Sequence, residues 1–318
     1  MPSKPTKNIL VVQYSQTGQL AAVTANLLAP LQADPSIAIH VETLTPLQPF
    51  PFPWPFFRFL DAFPESAHLV PQPLKPLTLK GDENFDLVIL PYQVWFLSPS
   101  QPVTAFLKDP IVQRVLRGKP VVTVIACRNM WLVAQEKMKT LLATAGARLI
   151  DNVTLIDEGS TLSSFITTPR WMLTGRKNGF WGLPAAGLTD AQIAGTRRFG
   201  AALREALHAG LEQGPGPLLA GLGASEVNPR IYISEKTGAR SFHLWGKLLM
   251  AAGQPGSWQR VPLLALYAVF LVVMIVTVVP TSLTIQRLLR PFMRAWLSTI
   301  KARFEQPSGS ATDRMPHL

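Results

Sequence analysis

Over its first two-thirds the chain alternates short apolar runs with helical segments. That alternation admits few arrangements besides a doubly wound parallel sheet. Strands are expected near Asn8–Tyr14, Ala38–Thr43, Asp86–Pro91, Val121–Ala126 and Leu149–Asp157. Helices fit near Gln19–Leu31, Val103–Leu116, Leu132–Ala145 and Asp190–Glu212. The fold class is therefore α/β, a five-stranded parallel sheet of order 2-1-3-4-5. Its ligand crevice would lie at the carboxyl ends of the strands.

Three loops should meet at that crevice. The first, Ser15-Gln16-Thr17-Gly18-Gln19, joins the first strand to its helix. Free backbone N–H groups and the helix dipole favour an anion there, and the Ser15 and Thr17 hydroxyls can donate to phosphate oxygens. Gly18 lets the backbone approach closely. An ordinary strand-to-helix turn capped by Thr17 is the plainer alternative.

The second loop runs from Tyr92 through Gln93, Val94, Trp95 and Phe96 to Ser98-Pro99-Ser100. Tyr92, Trp95 and Phe96 can supply the flat apolar wall that a planar cofactor ring needs, and the loop amides its donors. The same rings could simply pack a helix on the sheet. The third loop is Ala126-Cys127-Arg128-Asn129-Met130-Trp131. Cys127 has no histidine near it in sequence and reads as a small buried residue rather than a nucleophile. Arg128 and Asn129 offer a cation and an amide to a ring edge or a carbonyl. Glu136 on the next helix is a candidate proton acceptor, or only a surface group.

Two aromatic insertions interrupt the pattern, at about 46–76 and 160–187. In the first, alternating prolines from Pro46 to Pro55 argue for a loop. Residues 214–260 read as a less regular connector after the 1–213 domain. Between Pro262 and Pro280 no charge occurs. As a helix this run spans roughly 27 Å, close to a hydrocarbon core of about 30 Å. A transmembrane or re-entrant helix over 261–280 is expected, against a buried core helix.

The net charge of +11 and the basic tail 281–318 then point to anionic lipid rather than nucleic acid. Basic groups flank the run on both sides, so a simple span would export Arg287, Arg290 and Arg294 against the positive-inside rule. A basic surface helix over Thr284–Ile300 avoids that conflict, and both topologies stay open. The N-terminus lacks the apolar core of a signal peptide, so the first domain is expected at the cytoplasmic face of the membrane. A single cysteine excludes an intrachain disulfide, and five scattered histidines predict no metal.

Ser15-Gln16-Thr17-Gly18 resembles the phosphate loop of flavodoxins. Pro91-Tyr92-Gln93-Val94-Trp95, with Ser98-Pro99 and Ala105-Phe106-Leu107, is similar to the flavin-ring segment of flavodoxin-like NAD(P)H:quinone and FMN reductases. The runs Tyr92–Ser100 and Ala126–Trp131, with Gln135-Glu136-Lys137, Phe52-Pro53-Trp54 and Thr174-Gly175-Arg176-Lys177, look like bacterial dialkylresorcinol condensing enzymes. The chain departs from the reductase pattern at Leu20, where a hydroxyl is common, and by one extra residue between Tyr92 and Trp95.

The resemblance implies a flavodoxin-like fold, bound FMN and a place in dialkylresorcinol-type aryl lipid synthesis. There a ketosynthase-like partner makes a cyclohexanedione, which this chain would oxidise to the aromatic ring. Ser15, Gln16, Thr17, Gly18 and Gln19 would hold the phosphate. Tyr92, Gln93, Val94, Trp95, Phe96, Cys127, Arg128 and Asn129 would contact the ring, and Tyr92 or Arg128 would steady an enolate. A membrane quinone reductase and a flavin-free scaffold for the ketosynthase are the alternatives. A homodimer is left open.

Overall fold

The computed structural model describes residues 7–157, 159, 161–278, 281, 284 and 293–315. Its sheet comprises β1 (Lys7–Gln13), β2 (Ile37–Thr43), β3 (Leu87–Tyr92), β6 (Pro120–Cys127) and β7 (Arg148–Ile156). A two-stranded hairpin, β4 (Val94–Trp95) with β5 (Ser98–Pro99), stands beside it. All five main strands pair in parallel in the order β2-β1-β3-β6-β7. Counted along the main strands this is 2-1-3-4-5, the flavodoxin-like order. Residues Ile9 to Val12 of β1 are all inaccessible to solvent, because helices cover both faces of a parallel sheet. Leu10 and Val12 enter one core, Ile9 and Val11 the other, as the period of two requires.

One face carries α4 (Gln101–Lys108), α5 (Pro110–Leu116) and α6 (Leu132–Thr144). The other carries α1 (Gln19–Gln32) and α9 (Arg197–His208). The α1 and α9 backbones cross so closely that a Cβ on Gly200 would lie 1.8 Å from the Leu27 carbonyl oxygen. The helix expected over Val103–Leu116 is split at Asp109, whose carboxylate accepts from the Ile111 and Val112 amides while Pro110 opens α5. After α7 (Thr161–Thr174), the helix expected over Asp190–Glu212 is likewise divided into α8 (Asp190–Ala194) and α9.

Two expectations are corrected. The proline-rich insertion is not wholly a loop: it contains α2 (Phe56–Asp61) and α3 (Phe63–Ala67). Pro55 precedes the first helix and Pro64 opens the second, positions where a missing N–H costs nothing. The stretch 214–260 is no irregular connector either. Leu218, Leu219 and Leu222 join the core beside α1 and α9. Farther on comes α10 (Tyr232–Ala252), 21 residues long. Its apolar positions answer to α3 and α6 rather than to a regular stripe, which hid it in the sequence.

Glu235 fastens α10 to the domain. Fully buried, it accepts from the Leu132 and Val133 amides at 3.3 and 2.8 Å, capping α6. Burial pushes its carboxyl up to about 8, against the downward pull of those amides. An acid with a raised folded pKa favours the fold when protonated. That contribution fades as pH rises from the unfolded value toward 8. The unfolding free energy is expected to fall by on the order of 2 kcal/mol between about pH 6 and pH 8 through this group. Urea titrations at both pH values should show the fall in the wild type and a much smaller one in Glu235→Gln.

The apolar run forms α11 (Val261–Val273) and a π-helical turn, Met274–Val278. The chain then comes back to the domain as α12 (Arg294–Glu305), whose Ile300 and Phe304 enter the same core as Tyr232 and Trp131. The basic helix expected over Thr284–Ile300 therefore overlaps α12 only at its end. Residues 285–292, with Arg287 and Arg290, lie outside the described residues.

Candidate functional site

The first loop leaves β1 and enters α1 through Gly18, which adopts φ 82°, left-handed backbone suited to glycine. Ser15 Oγ and Thr17 Oγ1 accept weakly from the Ala21 and Gln19 amides, at 3.4 and 3.5 Å. The hydroxyls thus face the free N–H groups of the helix start, where an anion would compete with them. Gln16 turns away, its amide donating to the Pro51 carbonyl at 2.7 Å. Gln19 points toward the loop before α8, and its buried Nε2 has no acceptor among the described residues. A Cβ on Gly187 would stand 2.5 Å from that nitrogen.

The third loop meets the same place. Arg128 is 15 % exposed, and its Nε lies 3.6 Å from Asp157 Oδ2 while Nη1 donates to Thr168 Oγ1. Among the described residues its buried Nε and Nη2 have no hydrogen-bond acceptor. Desolvation draws the guanidinium pKa down and Asp157 opposes it. Asp157 is the hub, accepting from the Gly159 amide at 2.8 Å and the Gly187 amide at 2.5 Å. Two unsatisfied donor groups, Gln19 and Arg128, thus converge at the carboxyl ends of β1 and β6. Buried donors without acceptors are rare and costly, and a ligand rich in acceptor oxygens would satisfy them.

The second loop roofs this end. Trp95 is nearly buried and packs edge-on to Tyr14, Phe50 and Trp54 at 6.1, 4.8 and 5.7 Å. The two aromatic insertions close on each other there. The Trp54 amide donates to the Met172 carbonyl at 2.8 Å, and Phe52 meets Trp171 edge-on. The Trp54 indole N–H and Gln93 Oε1 are also buried without partners among the described residues. Phe96 and Leu97 make the hairpin turn with φ of 48° and 58°. Bulky residues pay strain for that backbone. It aims Phe96 at Phe59, Phe63 and Phe242, away from the sheet.

Several expected site residues stand elsewhere or do other work. Tyr92 is wholly buried in the core, and its hydroxyl donates to Gln135 Oε1 at 2.6 Å, so it offers no face to a ligand and no hydroxyl to an enolate. Glu136 sits on α6, where it accepts from Arg303 at 2.8 Å and from the Tyr232 hydroxyl at 3.1 Å. It clasps α12 and α10 and is no proton acceptor at the crevice. Val94 serves the hairpin by pairing with Pro99. Cys127 is half-buried, and desolvation, with Glu235 and Asp157 nearby, pushes its thiol up and keeps it un-ionised. Asn129 follows Arg128, half-buried. Asp157 escaped the sequence reading; a carboxylate closing an apolar strand was the available signal.

No family model matches this chain, and no curated protein matches it in sequence. Among solved structures it is similar to a flavoprotein in complex with FMN from Lactobacillus acidophilus NCFM. Identity is 12 %, coverage 46 % of this chain and 93 % of that one, and the TM-score 0.36. It is similar also to a flavodoxin from the domain Archaea, with 10 % identity, 63 % and 99 % coverage and a TM-score of 0.35. Likenesses so slight carry no functional argument. The strand order itself establishes the fold.

Proposed function

We propose that this protein is a membrane-attached, FMN-dependent oxidoreductase that aromatises a lipid-like cyclic diketone in dialkylresorcinol-type aryl lipid synthesis. The observation that carries the cofactor is the pair of buried, unsatisfied donor groups, Gln19 and Arg128, beside the Ser15–Gln19 loop. The Ser15, Thr17 and Gly18 end would hold the phosphate on the α1 N-terminus. Trp95 and Trp54 would wall the ring, and Gln19 and Arg128 would meet its polar atoms. Bound FMN supplies a two-electron acceptor.

Aromatising a cyclohexanedione removes two hydrogens from its ring. Arg128, partly desolvated, can hold the negative charge that grows on a ring oxygen as a proton leaves. The aromatic roof excludes water and matches alkyl chains. The test is to purify the full chain in detergent and add FMN. A stoichiometric yellow complex absorbing near about 450 nm, bleached by a cyclohexanedione bearing two alkyl chains, is expected. Protein that stays colourless with FMN overturns the cofactor. Yellow protein reduced by NADPH and reoxidised by quinone, yet inert to the dione, overturns the reaction.

A further inference from the structure

Both flanks of the apolar segment are bolted to one domain. At its start Arg260, 1 % exposed, reaches Glu65 at 2.7 Å and Asp61 at 3.1 Å, and its Nε donates to the Gly253 carbonyl. At its return Ile300 and Phe304 are buried beside Tyr232. Farther on, Ser308 Oγ donates to the buried Asp151 at 2.7 Å and accepts from the Asn152 amide at 2.7 Å. The last turns continue the attachment: the Gly223 amide donates to Ala311, and Arg314 Nη1 to the Leu218 and Ala220 carbonyls. A segment held at both ends by one folded body cannot deliver its far end across a bilayer.

Between those anchors lies an apolar surface. Trp258–Thr277 is 20 residues long and strongly apolar, and little of it is buried. Leu266, Val269, Val272 and Val276 are each more than half exposed, and Trp258 is 76 % exposed. Leu244 and Leu248 add a stripe from α10, whose Trp245 touches Tyr267 and Phe270 of α11. Beside the return anchor opens a cleft of about 640 Å³ lined by Arg230, Arg294, Lys301 and Ser298, with one carboxylate, Glu226. Three cations against one anion, beside the segment's return, match the charge of a lipid headgroup.

We infer that the segment enters and leaves the same leaflet, and that this cleft grips the phosphate of an anionic phospholipid. The inference rests on the membrane part of the proposed function and is independent of the flavin. It also sets the aromatic roof on the membrane side, since Phe59, Phe63 and Phe96 join roof to α11 in one cluster.

Two measurements on the full chain test it. In a Cys127→Ser background, Gln254→Cys and Asp313→Cys flank the segment and Val272→Cys lies within it. After reconstitution into sealed phosphatidylcholine–phosphatidylglycerol vesicles, an impermeant maleimide should label positions 254 and 313 from the same side. Position 272 should be protected only when vesicles are present. Labelling of 254 and 313 from opposite sides overturns the one-leaflet arrangement while leaving membrane attachment intact. Failure to float with any vesicle, with 272 protected in a soluble dimer, assigns the face to a second copy and overturns both.

Flotation tests the cleft. Phosphatidylglycerol vesicles should bind better than phosphatidylcholine alone, and Arg230→Glu/Arg294→Glu should cut that preference by about tenfold or more. An unchanged preference overturns the headgroup site. Binding of inorganic phosphate by the wild type but not by Arg230→Glu/Arg294→Glu, with no preference for phosphatidylglycerol vesicles, also overturns it and assigns the cleft to free phosphate.

Discussion

Gly18→Asp is expected to weaken FMN binding by on the order of a hundredfold or more while leaving riboflavin binding nearly unchanged. The loop has open space beyond Gly18, so a Cβ meets nothing within 4 Å. The backbone there is left-handed, which aspartate tolerates better than most residues. Folding should survive at a cost of about 1 kcal/mol. The new carboxylate, however, sits at the α1 N-terminus, where the phosphate must lie. Juxtaposed like charges cost several kcal/mol, and each 1.4 kcal/mol is about tenfold. Riboflavin lacks the phosphate and is spared that repulsion. Titrations of flavin fluorescence with both ligands measure the contrast. Equal weakening of the two would show that the loop shapes the ring site rather than holding a phosphate. The tryptophans clustered at Trp54 and Trp95 provide a second, intrinsic signal.

Arg260→Met is expected to lower the unfolding free energy by about 3–5 kcal/mol, the cost of leaving buried carboxylates without their cation. Asp61 and Glu65 would then share a dry site with no counter-charge, and the Gly253 carbonyl would lose its donor. Against a typical total of about 5–15 kcal/mol, such a loss is large. The methionine stem keeps much of the packing, so charge rather than volume is what changes. Adding Asp61→Asn and Glu65→Gln removes the stranded charges and should recover part of the loss. Denaturant unfolding in detergent, followed by tryptophan fluorescence, compares the single and triple variants. If the single variant is as stable as wild type, the triad does not anchor α11.

Much of this was readable from local pattern alone. All five main strands fall within one residue of their expected ends; in β1 and β3 this is because a strand covered on both faces must be an unbroken apolar run whatever covers it. The convergence of the first and third loops follows from strand order. By contrast, Tyr92 and Glu136 carried the right chemistry in the right stretch, yet packing spent them on Gln135 and on Arg303. Their roles depended on which way each side chain pointed, and on partners that arrive from distant segments.

The same physics divides the whole molecule. Hydrophobic periodicity, proline placement and the uncharged run between Pro262 and Pro280 are local, so the sequence alone determined the sheet, the turn from the first strand into α1 and the apolar helix. Glu235 meets Val133 across 102 residues, Ser308 meets Asp151 across 157, and Arg260 meets Glu65 across 195. Contacts at such separations leave no periodic trace. They exist only because burial makes an unpaired charge or amide expensive and rewards the one packing that satisfies it. Tertiary structure alone therefore decided that Asp157 organises the crevice, that 214–260 packs with the domain, and that α12 beyond the apolar segment packs against the same domain.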